Sequence, residues 1–308
     1  MSAPAIASTP DLLVPPRTRL GLWCGIGAAT LFAGKAVLVR QGYHAGAGTT
    51  DLLALRMLVS LPCFAVIAWW MGRGREALTT GEYLRLLALG VLGYHVASWL
   101  DFAGLQYIDA ALERVVLFIY PTLVTGWALL RGTRQMTRPL ALALAATYGG
   151  ILLTWGDRVT FGAQGAHTVL GVALVAFSAL AFAVQLVLCE GLLKRIGGVR
   201  AMAIAMLGAG ATIVLQAAIE APPALFHPTT GALWCGAALG IFSTVIPCLL
   251  GGVAIQHLGA SRAAVVGCIA PVATALMGWL FLGEVLGPAA WIGCLLTMWG
   301  SVVAGRTR

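Results

Sequence analysis

The two halves of this chain resemble each other at a constant offset of 150 positions, and no gap is needed to align them. The matches that an apolar composition explains least pair Phe32 with Phe182, Gln106 with Gln256 and Pro121 with Pro271. If each copy holds an odd number of membrane-spanning helices, the second copy enters the bilayer upside down relative to the first. The repeat therefore restricts the fold to two related units of opposite orientation.

Composition places both units in a membrane. The 308 residues are 60% hydrophobic and only 10% charged, whereas soluble domains carry about 25% charged residues. A net charge of +8 would suggest a nucleic-acid partner in a soluble protein, but here the basic residues lie in short connections between apolar runs. The seven cysteines lie inside apolar runs without metal-binding or disulfide-type spacing, so neither kind of site is expected.

Ten apolar runs are long enough to cross a bilayer core of about 30 Å, which needs about 20 residues per helix. These runs, called spans 1 to 10 below, lie near residues 20–39, 51–71, 83–104, 107–130, 138–156, 168–190, 199–219, 232–256, 259–282 and 287–304. Because backbone groups in lipid must bond within their own segment, all ten are expected to be helices. The prolines inside or near spans are expected to bend them; they are Pro62, Pro121, Pro247 and Pro271.

The expected fold is all-α: an integral membrane protein with ten transmembrane helices built as two inverted five-helix repeats and no sheet. Residues 1–19 are rich in proline and are interpreted as a disordered cytoplasmic tail. The first repeat is assigned to residues 20–156 and the second to residues 168–304.

The distribution of positive charge predicts that both termini are cytoplasmic. With that orientation, the inner side holds 14 of the 19 Lys and Arg residues. The remaining five lie in spans or on the outer side; they are Lys35, Arg40, Arg56, Arg114 and Arg158. The expected location is the inner membrane of a bacterium.

A pattern of residues recurs at the ends of the later spans in each half. In the second half, the run from Gln256 to Ala260 leads to Pro271, then Trp279 to Glu284 leads to Trp291, Gly293 and Gly300. In the first half, Leu105 to Ala110 leads to Tyr120 and Pro121. These patterns resemble the drug/metabolite transporter superfamily in its ten-helix EamA branch, except that Arg134 replaces the acidic turn residue that matches Glu284. The resemblance implies a transporter, and the overall pattern is most similar to amino-acid exporters, including those for aromatic amino acids.

Polar residues in span 3 are the first candidates for a substrate site, because charged groups in a bilayer are costly and usually face a cavity or a partner. Helical spacing puts Tyr94, Ser98 and Asp101 on one face, with His95 and Trp99 on the adjacent face. The face is interpreted as a cavity wall that offers hydroxyls, an aromatic surface and a carboxylate. The alternative is that these residues only pack helices together.

The repeat extends the list of candidate substrate-binding residues. Lys35 in span 1 matches Gln185 in span 6, and Ser243 and Thr244 occupy the matching region of span 8. Lys35 is able to hold a substrate carboxylate as a point charge. Equally, it is able to extend to the outer surface or to pair with Asp101 or Glu113.

A second group of charges is interpreted as a gate. Arg56, Glu113 and Arg114 fall in the outer half of the membrane under the predicted orientation, as do Lys35 and Asp101. Opposite charges at one depth suggest ion pairs that close an outer gate, although static pairing between helix ends is the alternative. Pro121 and Pro271 are the candidate hinges.

The expected function is export of amino acids and related small metabolites by alternating access, either secondary-active or facilitative. Other small solutes, such as drugs, nucleobases or sugars, are the alternative within transport, and an intramembrane enzyme or a scaffold is a distant one. No phosphate-binding loop or catalytic motif occurs, so no cofactor, metal or enzymatic activity is expected. The expected partners are a small-molecule substrate and the lipid bilayer, without nucleic acid, and the chain is compatible with a monomer. The driving force is left open.

Overall fold

The computed structural model describes residues 16–73, 77–133, 135–160, 165–220 and 228–306, and every regular element in these ranges is a helix. The expected all-α fold is therefore confirmed. Of the predicted disordered tail, residues 1–15 lie outside the described ranges. Helix α1 already begins at Pro16, four positions before the predicted start of span 1, because proline is well tolerated in the first turn of a helix.

The first half contains eight α-helices and one π-helical segment, π1. In chain order they are α1 (Pro16–Ala33), α2 (Lys35–His44), α3 (Thr49–Gly72), α4 (Thr80–Gly90), π1 (Val91–Val96), α5 (Ala97–Gly104), α6 (Ala110–Leu117), α7 (Tyr120–Leu130) and α8 (Arg138–Thr160). Spans 1, 3 and 4 are thus each built from more than one element.

The second half repeats this plan within the described residues. Its elements are α9 (Gly165–Ile196), α10 (Gly198–Glu220), α11 (Thr230–Gly240), π2 (Ile241–Val245), α12 (Ile246–Leu258), α13 (Ala260–Gly267), α14 (Ala270–Leu282) and α15 (Pro288–Arg306). All ten predicted runs are helical. Among the described residues, length and hydropathy support nine as membrane-crossing, and the apolar part of the last helix, Pro288–Ala304, is shorter.

Contacts between the halves obey the same offset as the sequence. The Cα of Gly21 packs against His257, and the Cα of Gly171 packs against Tyr107, so that a Cβ on either glycine would lie within 3 Å of its neighbour. Gly171 follows Gly21 by 150 positions and Tyr107 precedes His257 by 150 positions, so the two contacts are equivalent in the repeat. Span 1 therefore packs on span 8 as span 6 packs on span 3, which is the arrangement that a two-fold relation between the halves produces.

The contacts also establish that the repeats are inverted. Gly21, at the start of span 1, lies beside the end of span 8, and Thr229, just before span 8, donates to the Ala45 carbonyl after span 1. Spans 1 and 8 are thus antiparallel. The end of span 3 at Gly104 meets the start of span 6 at Gly171. Since span 3 runs in the same direction as span 1, the first spans of the two repeats run in opposite directions.

Helix irregularities in spans 3 and 4 recur at matching positions in spans 8 and 9, whereas the break at Gly34 in span 1 has no counterpart in the continuous helix α9 of span 6. The segments π1 and π2 begin 150 positions apart. Spans 4 and 9 are both interrupted for two residues, after Leu117 and after Gly267, and the next helix starts just before Pro121 or Pro271. The bends expected at these two prolines thus appear as breaks in the helix, whereas Pro62 lies inside the continuous helix α3.

Candidate functional site

A buried lysine joins three spans at the end of the bundle that the charge bias predicts to face outward, called the outer end below. Lys35 is the first residue of α2 and is only 6% exposed. Its Nζ donates to a carboxylate oxygen of Asp101 in α5 and, at 3.1 Å, to Oε1 of Glu113 in α6. Of the alternatives for Lys35, pairing with Asp101 or Glu113 is the one found, and it engages both carboxylates.

Arg114 extends this network to span 9. Its Nε lies 3.8 Å from Oε2 of Glu113 and donates to the Thr274 hydroxyl at 3.2 Å. Its Nη2 donates to the carbonyl of Phe32 at 3.1 Å, while Thr274 donates to the carbonyl of Ala33. Both carbonyls end α1, where a helix leaves carbonyls without partners of its own. Arg114 on span 4 and Thr274 on span 9 therefore stabilise the break in span 1 that precedes Lys35.

We call Lys35, Asp101, Glu113 and Arg114 the lysine cluster. It contains two cations and two carboxylates, all less than a tenth exposed. Such a cluster is stable in a medium of low polarity only while each charge keeps a partner. The matching positions in the second repeat are Gln185, Gly251, Ala263 and Ala264, so the corresponding position near the inner end carries no charge.

Arg56 lies beside the lysine cluster with few partners. It is 5% exposed, and its guanidinium stands 5.4 Å from the centre of the Phe102 ring. Its Nη2 donates to the Ser98 hydroxyl over a long 3.4 Å, and its Nε has no hydrogen-bond partner among the described residues. Asp101 is close enough for the two charges to interact, but no carboxylate in the described ranges forms an ion pair with Arg56.

Three more buried polar atoms, on spans 3, 6 and 8, also have no hydrogen-bond partner in the described part of the chain. They are Oδ1 of Asp101, Oε1 of Gln185 and Oγ of Ser243. Buried polar groups without a partner are few in native proteins, and each requires an explanation such as a bound water or ligand. The set contains a carboxylate oxygen, an amide oxygen and a hydroxyl. These groups suit a polar solute better than an apolar one.

Glycine makes room for the Gln185 amide. A Cβ on Gly93 would lie 2.3 Å from Oε1 of Gln185, so a side chain there would displace the amide. Ser243 occupies the position that matches Gly93. Gln185 on span 6 thus packs against π1 at Gly93, and Ser243 lies at the equivalent position of π2 in span 8. Both are predicted substrate contacts.

Three aromatic rings form a connected group beside this amide. The rings of Tyr94 and Phe182 are 6.0 Å apart, and those of Phe182 and Tyr120 are 5.2 Å apart, both edge to face. The Tyr94 hydroxyl lies beside the Gln185 side chain. Tyr120 begins α7 directly after the break in span 4. The aromatic group thus links π1, span 6 and the segment that starts at a candidate hinge.

The residues that helical spacing placed on one face of span 3 contact three different spans. Tyr94 contacts Phe182 on span 6, Ser98 contacts Arg56 on span 2, and Asp101 contacts Lys35 on span 1. The wider turn of π1 changes the angle between Tyr94 and the residues that follow, whereas Ser98 and Asp101 both belong to α5 and both lie near Arg56. The cavity wall predicted from the three residues stays a prediction.

Two further candidates are placed elsewhere. Trp99 is 36% exposed, and no contact between it and the lysine cluster is found among the described residues. Thr244 is buried and donates to the Leu239 carbonyl of its own helix at 2.8 Å. His95 bridges to span 7 through Thr212 and Gln216 at 2.8 and 2.6 Å, as expected for a structural histidine. The roles assigned to these residues from the sequence stay predictions.

A cleft at the outer end lies above the lysine cluster. Its volume is about 360 Å³, and it is lined by Arg40, Tyr43, His44, Ala47, Leu105 and Gln106. Below it, the Tyr43 hydroxyl donates to the Phe102 carbonyl, and the Gln106 amide donates to the Thr49 hydroxyl at 2.8 Å. These bonds join spans 1, 2 and 3 and separate the cleft from the buried charges.

Glu284 and Arg40 form an ion pair that the sequence reasoning missed. Their closest atoms are 3.1 Å apart, and Glu284 also accepts from the Ala110 amide at the start of α6. The carboxylate thus joins the outer ends of spans 1, 4 and 9. The acidic turn after span 9 was the available signal, but no local pattern showed that Arg40, in the other repeat, would be its partner.

Comparisons with known proteins point in one direction. Residues 19–156 and 169–306 each match the sequence profile of the EamA-like transporter family. The chain is 30% identical over 272 residues to the uncharacterized transporter YcbK of Bacillus subtilis, with 85% of each protein covered. It is 26% identical over 223 residues to an uncharacterized transporter of Archaeoglobus fulgidus, covering 72% of this chain and 76% of the relative. A crystal structure 17% identical in sequence shares the fold, with a TM-score of 0.67 over 92% of this chain and 96% of the other.

Proposed function

Because this chain belongs to the EamA-like transporter family, we propose that it exports amino acids and related small zwitterions by alternating access. The protein is a multi-pass membrane transporter; the proposal concerns its substrate, its direction and its location in the inner membrane of a bacterium. Movement of the two inverted repeats about the interrupted spans would expose one site to each side in turn.

The observation that carries the proposal is a pair of polar atoms on opposite charges that have no hydrogen-bond partner among the described residues, Nε of Arg56 and Oδ1 of Asp101. Arg56 offers a buried donor, and Asp101 offers a buried acceptor, neither of which has a hydrogen-bond partner in the described ranges. An amino acid carries a carboxylate for the first and an ammonium group for the second. Charge-assisted hydrogen bonds of this kind are about twice as strong as neutral ones, so both ends of a zwitterion would be recognised.

The remaining candidates suit the rest of such a solute. The aromatic group of Tyr94, Phe182 and Tyr120 offers ring surfaces for a partly apolar side chain. Oε1 of Gln185 and the hydroxyl of Ser243 offer neutral hydrogen-bonding atoms that have no partner among the described residues. This combination supports amino acids over phosphorylated metabolites, which need several cations around one group.

A charge-matched set of competitors tests the proposal. We expect purified protein in proteoliposomes to exchange a ¹⁴C-labelled mixture of the twenty amino acids by counterflow. Unlabelled phenylalanine should compete better than phenethylamine, which lacks the carboxylate, or 3-phenylpropionate, which lacks the ammonium group. Arg56→Gln removes a charged hydrogen bond worth about 1.5–3 kcal/mol. It should therefore weaken competition by phenylalanine about tenfold or more while leaving phenethylamine nearly unchanged.

The matched control is Arg85→Gln, which alters an exposed arginine of span 3 that donates to the Leu188 carbonyl. That variant should keep the wild-type order of competitors. If the wild type exchanges none of the amino acids, or if the three analogues compete equally, the assignment of zwitterions as substrates is wrong.

A further inference from the structure

We infer that Asp101 is a proton-binding site, at which a proton from the outer solution competes with Lys35 and with the ammonium group of the substrate. The inference rests on the proposed function and adds its driving force: proton entry would be coupled to export of the zwitterion. It follows from the unequal surroundings of the two carboxylates in the lysine cluster.

Glu113 and Asp101 differ in the number of cations that hold them. Glu113 is bonded by Lys35 at 3.1 Å and has the Nε of Arg114 at 3.8 Å. Each carboxylate has one oxygen bonded to Lys35 and one without a hydrogen-bond partner among the described residues. What distinguishes Asp101 is that no arginine in the described ranges forms an ion pair with it. If Lys35 moves away, Glu113 retains a cation that is itself anchored to spans 1 and 9, whereas Asp101 loses its ion pair.

The fold allows Lys35 to be the moving partner. It stands directly after the interruption at Gly34, where α1 ends and α2 begins. Its partners lie on spans 3 and 4, so any separation of span 1 from these spans at the outer end removes the ammonium from Asp101. A carboxylate left without a cation inside a membrane is costly. It must then bind another cation, and a proton or a substrate ammonium group fills that place.

Asp101 lies a short distance below the outer cleft. Leu105 and Gln106 line the outer cleft of about 360 Å³, and they follow Asp101 by four and five positions. At 1.5 Å per helical residue, the carboxylate lies about one helical turn below the floor of the cleft. The hydroxyl of Tyr43, which also lines the cleft, bonds the carbonyl of Phe102, the residue after Asp101. Opening the outer end at this bond would bring water to the carboxylate.

The charged and titratable neighbours define when a proton is accepted. They are Lys35, Arg40, Tyr43 and His44 from α2, Arg56 from α3, Glu113 and Arg114 from α6, and His167 from α9, which stacks on Tyr107 beyond the outer end. Glu284, after α14, pairs with Arg40. Cations outnumber carboxylates here, so a proton is disfavoured while Lys35 is bound. Proton binding and the Lys35 pair are therefore alternatives.

The exchange is balanced at one proton per cycle. The position that matches Asp101 in the second repeat is Gly251, so the repeat supplies no second carboxylate of this kind. A proton passes from outer water to a carboxylate oxygen of Asp101 when the substrate ammonium group leaves. The outer end then closes with Lys35 bonded to Glu113 alone, so Asp101 keeps its proton. The proton passes from that oxygen to inner water when the next ammonium group binds on the other side.

The closing experiment uses the full chain in proteoliposomes, with the membrane potential held at zero by valinomycin and equal potassium. The probe is the ¹⁴C-labelled mixture of the twenty amino acids. With the vesicle interior one pH unit more acidic than the outside, we expect the wild type to accumulate label about tenfold, because one pH unit matches a tenfold concentration ratio for one-to-one exchange. Asp101→Asn should lose this accumulation and retain a weaker counterflow that no longer depends on pH.

Two variants separate proton binding from a structural role. Asp101→Glu keeps a carboxylate and should recover accumulation driven by the pH gradient. Asp157→Asn alters a buried carboxylate that accepts from the Gly287 amide away from the cluster, and it should accumulate label as the wild type does. Intact counterflow that ignores the pH gradient in the wild type overturns this inference alone. Absence of any counterflow overturns the proposed function and this inference with it.

Discussion

Glu113→Ala is expected to destabilise the protein by about 3–5 kcal/mol, the cost of removing one partner from a buried ion pair. The carboxylate is 0% exposed and lies between Lys35 and Arg114. Without it, two buried cations share Asp101 as their remaining carboxylate in the cluster. The measurement is the apparent melting temperature of the purified protein in lipid nanodiscs, together with chemical denaturation where unfolding is reversible.

The charge-balanced double variant Lys35→Met with Glu113→Gln tests the reason for this loss. It removes one charge of each sign and leaves Arg114 with Asp101, so it should be more stable than the sum of the two single changes predicts. Glu82→Gln provides the comparison at the surface, since Glu82 pairs with the half-exposed Arg195 at 2.7 Å, and should change the melting temperature little. Equal losses at Glu113 and Glu82 would contradict the importance of burial.

Gly150→Ala is expected to lower stability by about 1–3 kcal/mol, the usual cost of overpacking a tight core. Gly150 on α8 faces α15 so closely that a Cβ would lie 2.4 Å from the Thr297 hydroxyl and 2.5 Å from the Gly293 carbonyl. The second neighbour is backbone and cannot rotate away. The two helices would have to separate along the interface that joins span 5 to span 10.

The adjacent glycine is a matched control for that substitution. A Cβ on Gly149 meets nothing within 4 Å, and alanine is favoured over glycine inside a helix by about 1 kcal/mol. Gly149→Ala should therefore leave the melting temperature unchanged or raise it slightly. A drop for Gly149→Ala as large as that for Gly150→Ala would show that helix flexibility, and not close packing, governs this pair.

Local pattern was sufficient to predict the helices and their repetition. The hydrophobic runs located ten helices, because a bilayer requires long apolar segments whose backbone bonds are satisfied internally. The offset of 150 positions also appears in the placement of π1 and π2 and in the breaks before Pro121 and Pro271. The breaks at Pro121 and Pro271 depend on residues near each other in sequence, so bends there could be inferred without coordinates, whereas π1 and π2 were not predicted.

The site was predicted less completely, since its contacts join residues far apart in sequence. Lys35 was expected to pair with Asp101 or Glu113, but that it bonds both, and that Arg114 reaches Thr274 across 160 positions, depends on how four spans meet. Helical spacing grouped Tyr94, Ser98 and Asp101, but π1, which contains Tyr94, changes the angle of that residue to the other two. A periodicity argument assumes an uninterrupted α-helix, and it fails where the helix widens.

The order of residues along the chain was enough to establish an all-helical membrane protein made of two inverted repeats, because hydrophobic length and an odd number of spans leave no other arrangement in lipid. The packing of helices selects the partners of the buried charges: it brings Arg40 to Glu284, and it leaves Arg56 without an ion pair among the residues that the structure describes. Charge interaction depends on distance in space, and that distance is set by where glycines allow helices to approach and where breaks turn them.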